Sequence, residues 1–216
     1  LFNQDATAWK FTDNIRKGCS FKAEAFLTKQ RSEKIVVKGE IDMALMKLSD
    51  YYPNHTKDLF DGHDITNFSV YASDSDDNDQ DKVGSVKDML VDETDGRFRY
   101  FIIDTGFWVF GKKVLLPIGL GRLDYNKERL YVAGLTKDQV ENLPEFSDDL
   151  KLDTDYEERV RSSYRPLVPS STITQPPAAT AYNYQQEPYF YDLNDPAFRS
   201  YEQRLRDRRS TGASRS

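Results

Sequence analysis

The chain has 216 residues, room for one or two ordinary domains, and its 38% hydrophobic and 31% charged residues predict a modest core beside solvated segments. The single cysteine, Cys19, excludes an internal disulfide framework and a zinc site built on cysteines alone, and no run of about 18 apolar residues is present to span a bilayer. The net charge of −6 is uneven: residues 43–161 carry 15 basic and 25 acidic groups, whereas 1–42 carry 8 and 6 and 162–216 carry 7 and 5. An acidic centre repels phosphate backbones at long range, so general nucleic-acid binding would need a concentrated basic patch, which only the tail offers.

Residues 1–42 show no sustained period of 2 or 3.6 apart from Ile35-Val36-Val37, and Met43-Ala44 reads like an initiator followed by a small residue. Two readings stand for this segment: an extension, or an ordinary N-terminal helix or strand. Residues 43–64 are dense in turn formers, with Tyr51, Tyr52 and Phe60 between them, and predict a lead-in arm wrapping the following domain. Phe68, Val70 and Ala72 alternate with polar residues as in a half-buried strand. The crowded carboxylates of residues 74–81 then disfavour regular structure.

Strand signals follow closely at 83–91, 97–104, 113–118, 121–125 and 129–132. Asp95-Gly96 and Asn126-Lys127-Glu128 lie where hairpin turns are needed. Five or six short strands with no helices between them predict antiparallel order in a closed or nearly closed barrel, since parallel pairs ordinarily need long crossovers. Thr136 is placed to cap a short helix that Pro144 ends, and residues 153–164 show a second, largely exposed helical pattern with Glu157 and Glu158 ahead of Arg161. Past Pro166, the Ser, Thr, Pro and Ala of residues 170–179 have linker composition, and disorder is expected over 166–216. Within that tail, Phe198, Tyr201 and Leu205 share one helical face beside several arginines, a pattern suited to folding on a partner.

Val83-Gly84-Ser85-Val86, the run ending in Val91-Asp92, Arg97-Phe98-Arg99-Tyr100 and Gly111-Lys112-Lys113-Val114-Leu115-Leu116-Pro117 resemble the PRC-barrel domain, and Leu135 to Val140 followed by Leu143-Pro144 is similar to its usual ending. The resemblance covers about residues 65–148. It implies a mainly β fold: a small antiparallel PRC-type β-barrel with short C-terminal helices and disordered terminal segments. The expected organisation is an extension (1–42), an arm (43–64), the barrel (65–148), a helix (149–165) and a Tyr/Arg-rich tail (166–216). The family includes the cytoplasmic part of the photosynthetic reaction-centre H subunit and half of a ribosome maturation factor, both with binding or assembly roles. The arm, the aromatic loop and the Tyr-rich tail look like cyanobacterial, reaction-centre H-like members.

Catalytic candidates are weak. Asp74, Asp76 and Asn78 begin a calcium-loop pattern, but Asp79 stands where glycine is needed and Ser85 where glutamate is needed. His55 and His63 lack a convergent ligand set, and Cys19 has no matching histidine motif. The expectation is therefore no enzyme, no catalytic residue, no metal and no cofactor. The loop with Phe107, Trp108 and Phe110 before Lys112 and Lys113 combines aromatic and basic groups suited to a partner surface, although Trp108 and Phe110 equally suit plugging the barrel end. Tyr201, Arg204, Arg208 and Arg209 form a second expected contact. The resulting reading is a noncatalytic adaptor for a protein or membrane-associated assembly, cytoplasmic or peripheral at a photosynthetic membrane and compatible with a homo-oligomer. The alternative is an RNA-binding or ribosome-assembly factor acting through Arg199, Arg204, Arg206, Arg208 and Arg209.

Overall fold

The β-branched and aromatic runs of the central sequence pair into one sheet. The computed structural model describes residues 45–72, 81–106, 111–149, 152–169 and 182–210, all within one compact unit, residues 39–216. Among them are eight strands: β1 (Leu45–Lys47), β2 (Ser69–Tyr71), β3 (Lys82–Asp92), β4 (Phe98–Asp104), β5 (Lys113–Pro117), β6 (Gly121–Asp124), β7 (Arg129–Val132) and β8 (Glu145–Phe146). The helices are α1 (Leu48–Tyr51), α2 (His55–Asp58), α3 (Lys137–Glu141), α4 (Thr154–Tyr164), α5 (Pro188–Tyr191) and α6 (Pro196–Ser210). The strand order is β6-β7-β2-β3-β4-β5-β8, with β1 added to the far end of β3.

Two sequence expectations change here. The sheet is not closed into a barrel, because β6 and β8 end the ladder without pairing to each other. Nor is it wholly antiparallel: β2 and β7 run parallel, Ser69 opposite Arg129 and Tyr71 opposite Tyr131. No crossover helix is required, since the four intervening strands carry the chain round the sheet and return it in the same direction.

Register irregularities in the β3–β4 pair shape its surface. The pairing steps from Val86–Ile103 to Asp88–Ile102, so Lys87 is the extra residue of a bulge; it is exposed while Asp88 turns inward and accepts from the Ser49 hydroxyl at 2.5 Å. A second step skips Arg99. The β3–β4 turn relies on Gly96 at φ +69°, where a methyl would meet the Arg206 side chain at 3.1 Å.

Phe98 to Ile103 are all buried, so β4 is covered on both faces. The second cover is the tail. Tyr184, Phe190, Tyr191, Leu193, Phe198, Tyr201 and Leu205 are buried, correcting the expected disorder across residues 182–210. This segment carries enough aromatic surface to offset its ordering once β4 and the arm offer a matching face: Phe198 lies 4.8 Å from Phe98, and Tyr201 5.0 Å from Phe60, between ring centres. Gly119 lets the tail close, because a methyl there would overlap the Tyr189 carbonyl oxygen and lie 2.8 Å from the Phe190 carbonyl carbon.

Helix α4 also departs from the exposed helix expected. Tyr156, Glu157, Val160, Arg161 and Tyr164 are buried, with the Tyr164 hydroxyl donating to the Leu115 carbonyl at 2.9 Å and that of Tyr156 to the Glu145 carbonyl at 3.0 Å. Asp153 caps this helix through the Tyr156 amide, and Thr136 caps α3 in a reciprocal box with Gln139.

Candidate binding surface

Where α4, β4 and the tail meet, charged and phenolic groups are gathered out of water. Arg161, 1% exposed, lies 3.6 Å from Glu157 and 3.5 Å from Glu187, donates to Glu158 at 3.0 Å and stacks on Tyr182 with its guanidinium carbon 3.5 Å from the ring centre. Arg165 grips Glu187 from the other side, at 2.9 Å through Nε and 3.1 Å through Nη2. Glu157 accepts from Tyr100 at 2.8 Å and from Tyr184 at 3.0 Å. Burial pushes the Glu157 carboxyl above the usual range, and these partners do not fully reverse it. For Glu187, burial acts in the same direction but the hydrogen bonds from Arg165 and Tyr189 prevail and hold its carboxyl low.

Beside this clasp, Asp95, Arg97, Arg99, Asn183, Tyr184, Gln185, Pro188, Tyr191, Asp192 and Arg206 line a polar cleft of about 400 Å³. Its arginines are largely matched. Arg99 donates to Asp92 at 3.0 Å and to Asp95 at 2.5 Å and stacks 3.9 Å over Tyr184, while Arg97 faces Asp192 at 3.7 Å. Asp92, though buried, is held low by hydrogen bonds from Thr94 and Arg99. The cleft therefore offers little uncompensated charge to a small anion.

A second recess of about 400 Å³ is lined by Lys82, Gly84, Ser85, Lys87, Asp104, Thr105 and Gly106. Lys82 and Lys87 are exposed beside it. It opens where the chain enters the expected aromatic loop: Gly106 and Gly111 have φ of +67° and +72° and join through a 2.8 Å bond from the Gly111 amide to the Gly106 carbonyl. Phe107, Trp108 and Phe110 lie outside the described residues, as does the acidic loop over 73–80.

The basic residues expected at the interface are engaged within the chain. Lys112 donates to the carbonyls of Glu141 and, at 3.1 Å, Leu143, and its partial burial lowers its pKa. Lys113 pairs with Asp148 at 3.1 Å. In the tail, Tyr201 is buried, Arg204 grips Asp61 at 2.6 and 2.9 Å, Arg208 lies 4.5 Å over the Tyr52 ring, and Arg209 donates to the Thr94 carbonyl. The expected second contact thus turns onto the chain's own arm and β3–β4 turn. The ion pairs of Glu157 and Glu158 with Arg161 follow the sequence spacing, whereas the burial of Arg161 and the roles of Arg165 and Glu187 do not show in it; the unbroken apolar character of β4 is the available sign that a second layer must cover it.

His55 donates through Nδ1 to the Tyr52 carbonyl at 2.8 Å, and His63 lies 5.4 Å from the Tyr125 ring. No group of three or more His, Cys, Asp or Glu suited to a metal occurs among the described residues. No described helix is long and apolar enough to cross a membrane.

An eight-stranded, incompletely closed sheet with buried polar groups paired to one another places the chain in the class of small, mainly β domains. Residues 57–139 match the PRC-barrel domain model, and the chain carries a PRC-barrel domain there. An uncharacterized protein of Deinococcus radiodurans is 46% identical over 69 residues, which are 32% of this chain and 24% of that protein. The chain thus matches about a quarter of that relative's length. Neither match carries the reaction-centre H-like or cyanobacterial subtype.

Proposed function

We propose that this protein is a noncatalytic binding module that engages another protein, alone or in a membrane-associated assembly, through the end of its PRC-barrel domain bearing the β4–β5 loop. The observation that carries this reading is the PRC-barrel match together with the open recess beside Gly106, where Lys82 and Lys87 are exposed next to the aromatic run of the sequence. Such domains often mediate protein interactions. An aromatic run in the sequence followed by lysines suits a partner face with an apolar centre and acidic rim. The buried arginines, glutamates and tyrosines support the same reading, since groups satisfied by one another are poorly placed for turnover.

The test is capture from cell extract, with and without membranes, using the full chain, a Phe107→Ser/Trp108→Ala variant and a Lys82→Glu/Lys87→Glu variant. Loss of the same captured proteins with both variants is the expected result; unchanged recovery with both removes this surface as the interface. Photosynthetic-complex proteins among those captured would extend the reading to the light reactions, a link that rests on resemblance alone. The RNA alternative gains no observation, because Arg204, Arg208 and Arg209 contact the chain itself.

A further inference from the structure

We propose that the tyrosines gathered around Glu157 form a redox site, which takes the oxidising equivalent of a one-electron oxidant of the radical class and holds it as a neutral tyrosyl radical on Tyr184 or Tyr100. The Tyr100 and Tyr184 hydroxyls both donate to Oε2 of Glu157, at 2.8 and 3.0 Å, and the Tyr191 hydroxyl lies 2.7 Å from that of Tyr100. The rings also meet edge to face, with centres 5.8 Å apart from Tyr182 to Tyr184, 4.6 Å from Tyr184 to Tyr191 and 5.6 Å from Tyr191 to Tyr100. A run of phenol rings thus leads from the half-buried Tyr182 to the fully buried Tyr100. Tyr184 and Tyr191 line the polar cleft on the way, where a small oxidant or reductant has access to them. Phenylalanines would fill the same space without placing hydroxyls in a dry site.

The charges around the rings couple the electron to a proton. Guanidinium groups stand over two of them, Arg161 at 3.5 Å from the Tyr182 centre and Arg99 at 3.9 Å from that of Tyr184, and they disfavour a phenol that has lost an electron but kept its proton. Glu157 is the base in place: burial raises its carboxyl, so it gains by receiving a proton, and Arg161 then keeps Glu158 and Glu187 as counter-ions. In the step, one electron passes from Tyr184 to the oxidant radical, which becomes its anion. The phenolic O–H bond breaks, its proton forms an O–H bond on Glu157, and the tyrosyl left behind is neutral. A thiolate or enediol reductant reverses the step by supplying one electron, with the proton returning from Glu157. One oxidising equivalent is stored per chain, with no turnover of a substrate.

Pulse radiolysis of the full chain in azide solution, with the azidyl radical as the oxidant, tests the site. The phenoxyl absorption band is expected to form more slowly in heavy water and to decay at a rate independent of protein concentration, as a shielded radical does. Glu157→Gln keeps an acceptor oxygen but no base, and Tyr100→Phe/Tyr184→Phe removes both phenols from Glu157. Each should shorten the radical lifetime by about tenfold, roughly what one hydrogen bond is worth in a rate, and yield dityrosine-linked dimers. Wild-type lifetimes in both variants, with circular dichroism showing the sheet intact, would overturn the site. Should a variant fail to fold, the wild-type chain decides: decay that accelerates with protein concentration and ends in dityrosine-linked dimers puts the radical on exposed tyrosines and overturns the proposal, whereas concentration-independent decay supports it. The cluster shares no residue with the recess beside Gly106, so either result leaves the adaptor reading standing.

Discussion

Arg161 illustrates how a single side chain organises this protein. It is 1% exposed and faces Glu157, Glu158 and Glu187, so removing it leaves two carboxylates in a dry site with diminished compensation. Breaking such a pair from one side costs about 3–5 kcal/mol, much of it the penalty on the groups left behind. Arg161→Ala is expected to lower stability by about that amount in urea denaturation, whereas Tyr100→Phe, which removes one hydroxyl from Glu157 and Tyr191, should cost about 1.5–3 kcal/mol. Gly119 acts by having no side chain. Gly119→Ala should destabilise by about 1–3 kcal/mol through overpacking, and hydrogen exchange should show the change first at 188–191, which lie on it.

Among the elements, the tail responds most directly to pH. Glu187 and Glu158 have carboxyls held low, so their contribution is complete above the unfolded carboxylate value of about 4.3 and is lost as pH falls through their lower folded values. Glu157 opposes them: its raised value means that the cost of its buried charge is relieved as pH falls toward 4.3. Amide exchange in α5 is therefore expected to stay slow in mild acid and rise below about pH 4. At the other extreme, burial pushes Tyr191 and Tyr189 up to about 12, with hydrogen bonding to Glu187 adding to the shift at Tyr189. Their stabilisation is complete below the unfolded phenol value of about 10 and disappears as pH rises through about 12. Absorbance at the phenolate band should show these tyrosines ionising together with release of the tail, above the pH at which free tyrosine titrates.

For the whole molecule, the tail decides which surface the sheet presents. A chain ending after Pro169 would uncover Phe60, Phe98, Tyr100 and Phe101, and a marked rise in binding of an apolar dye over the full chain is expected. Period, turn residues and caps were legible in the sequence because each is a local property: Gly96 takes the positive φ of its turn, Thr136 caps α3, and β3, β4, β5 and β7 fall where β-branched and aromatic residues concentrate. The motif residues from Val83 to Pro117 likewise carried the PRC-barrel resemblance. The order of the tail is not legible in its composition, because a linker precedes the aromatic segment and isolated helices of such length are marginal without a surface to pack on. The sequence alone determined β2 to β7, their turns and the domain type, since short-range sterics and periodicity govern those, but not the short edge pieces β1 and β8. Only tertiary structure decided that the sheet stays open, that β2 runs parallel to β7, and that Glu187 closes the tail between Arg161 and Arg165, because those depend on burial between residues far apart in the chain.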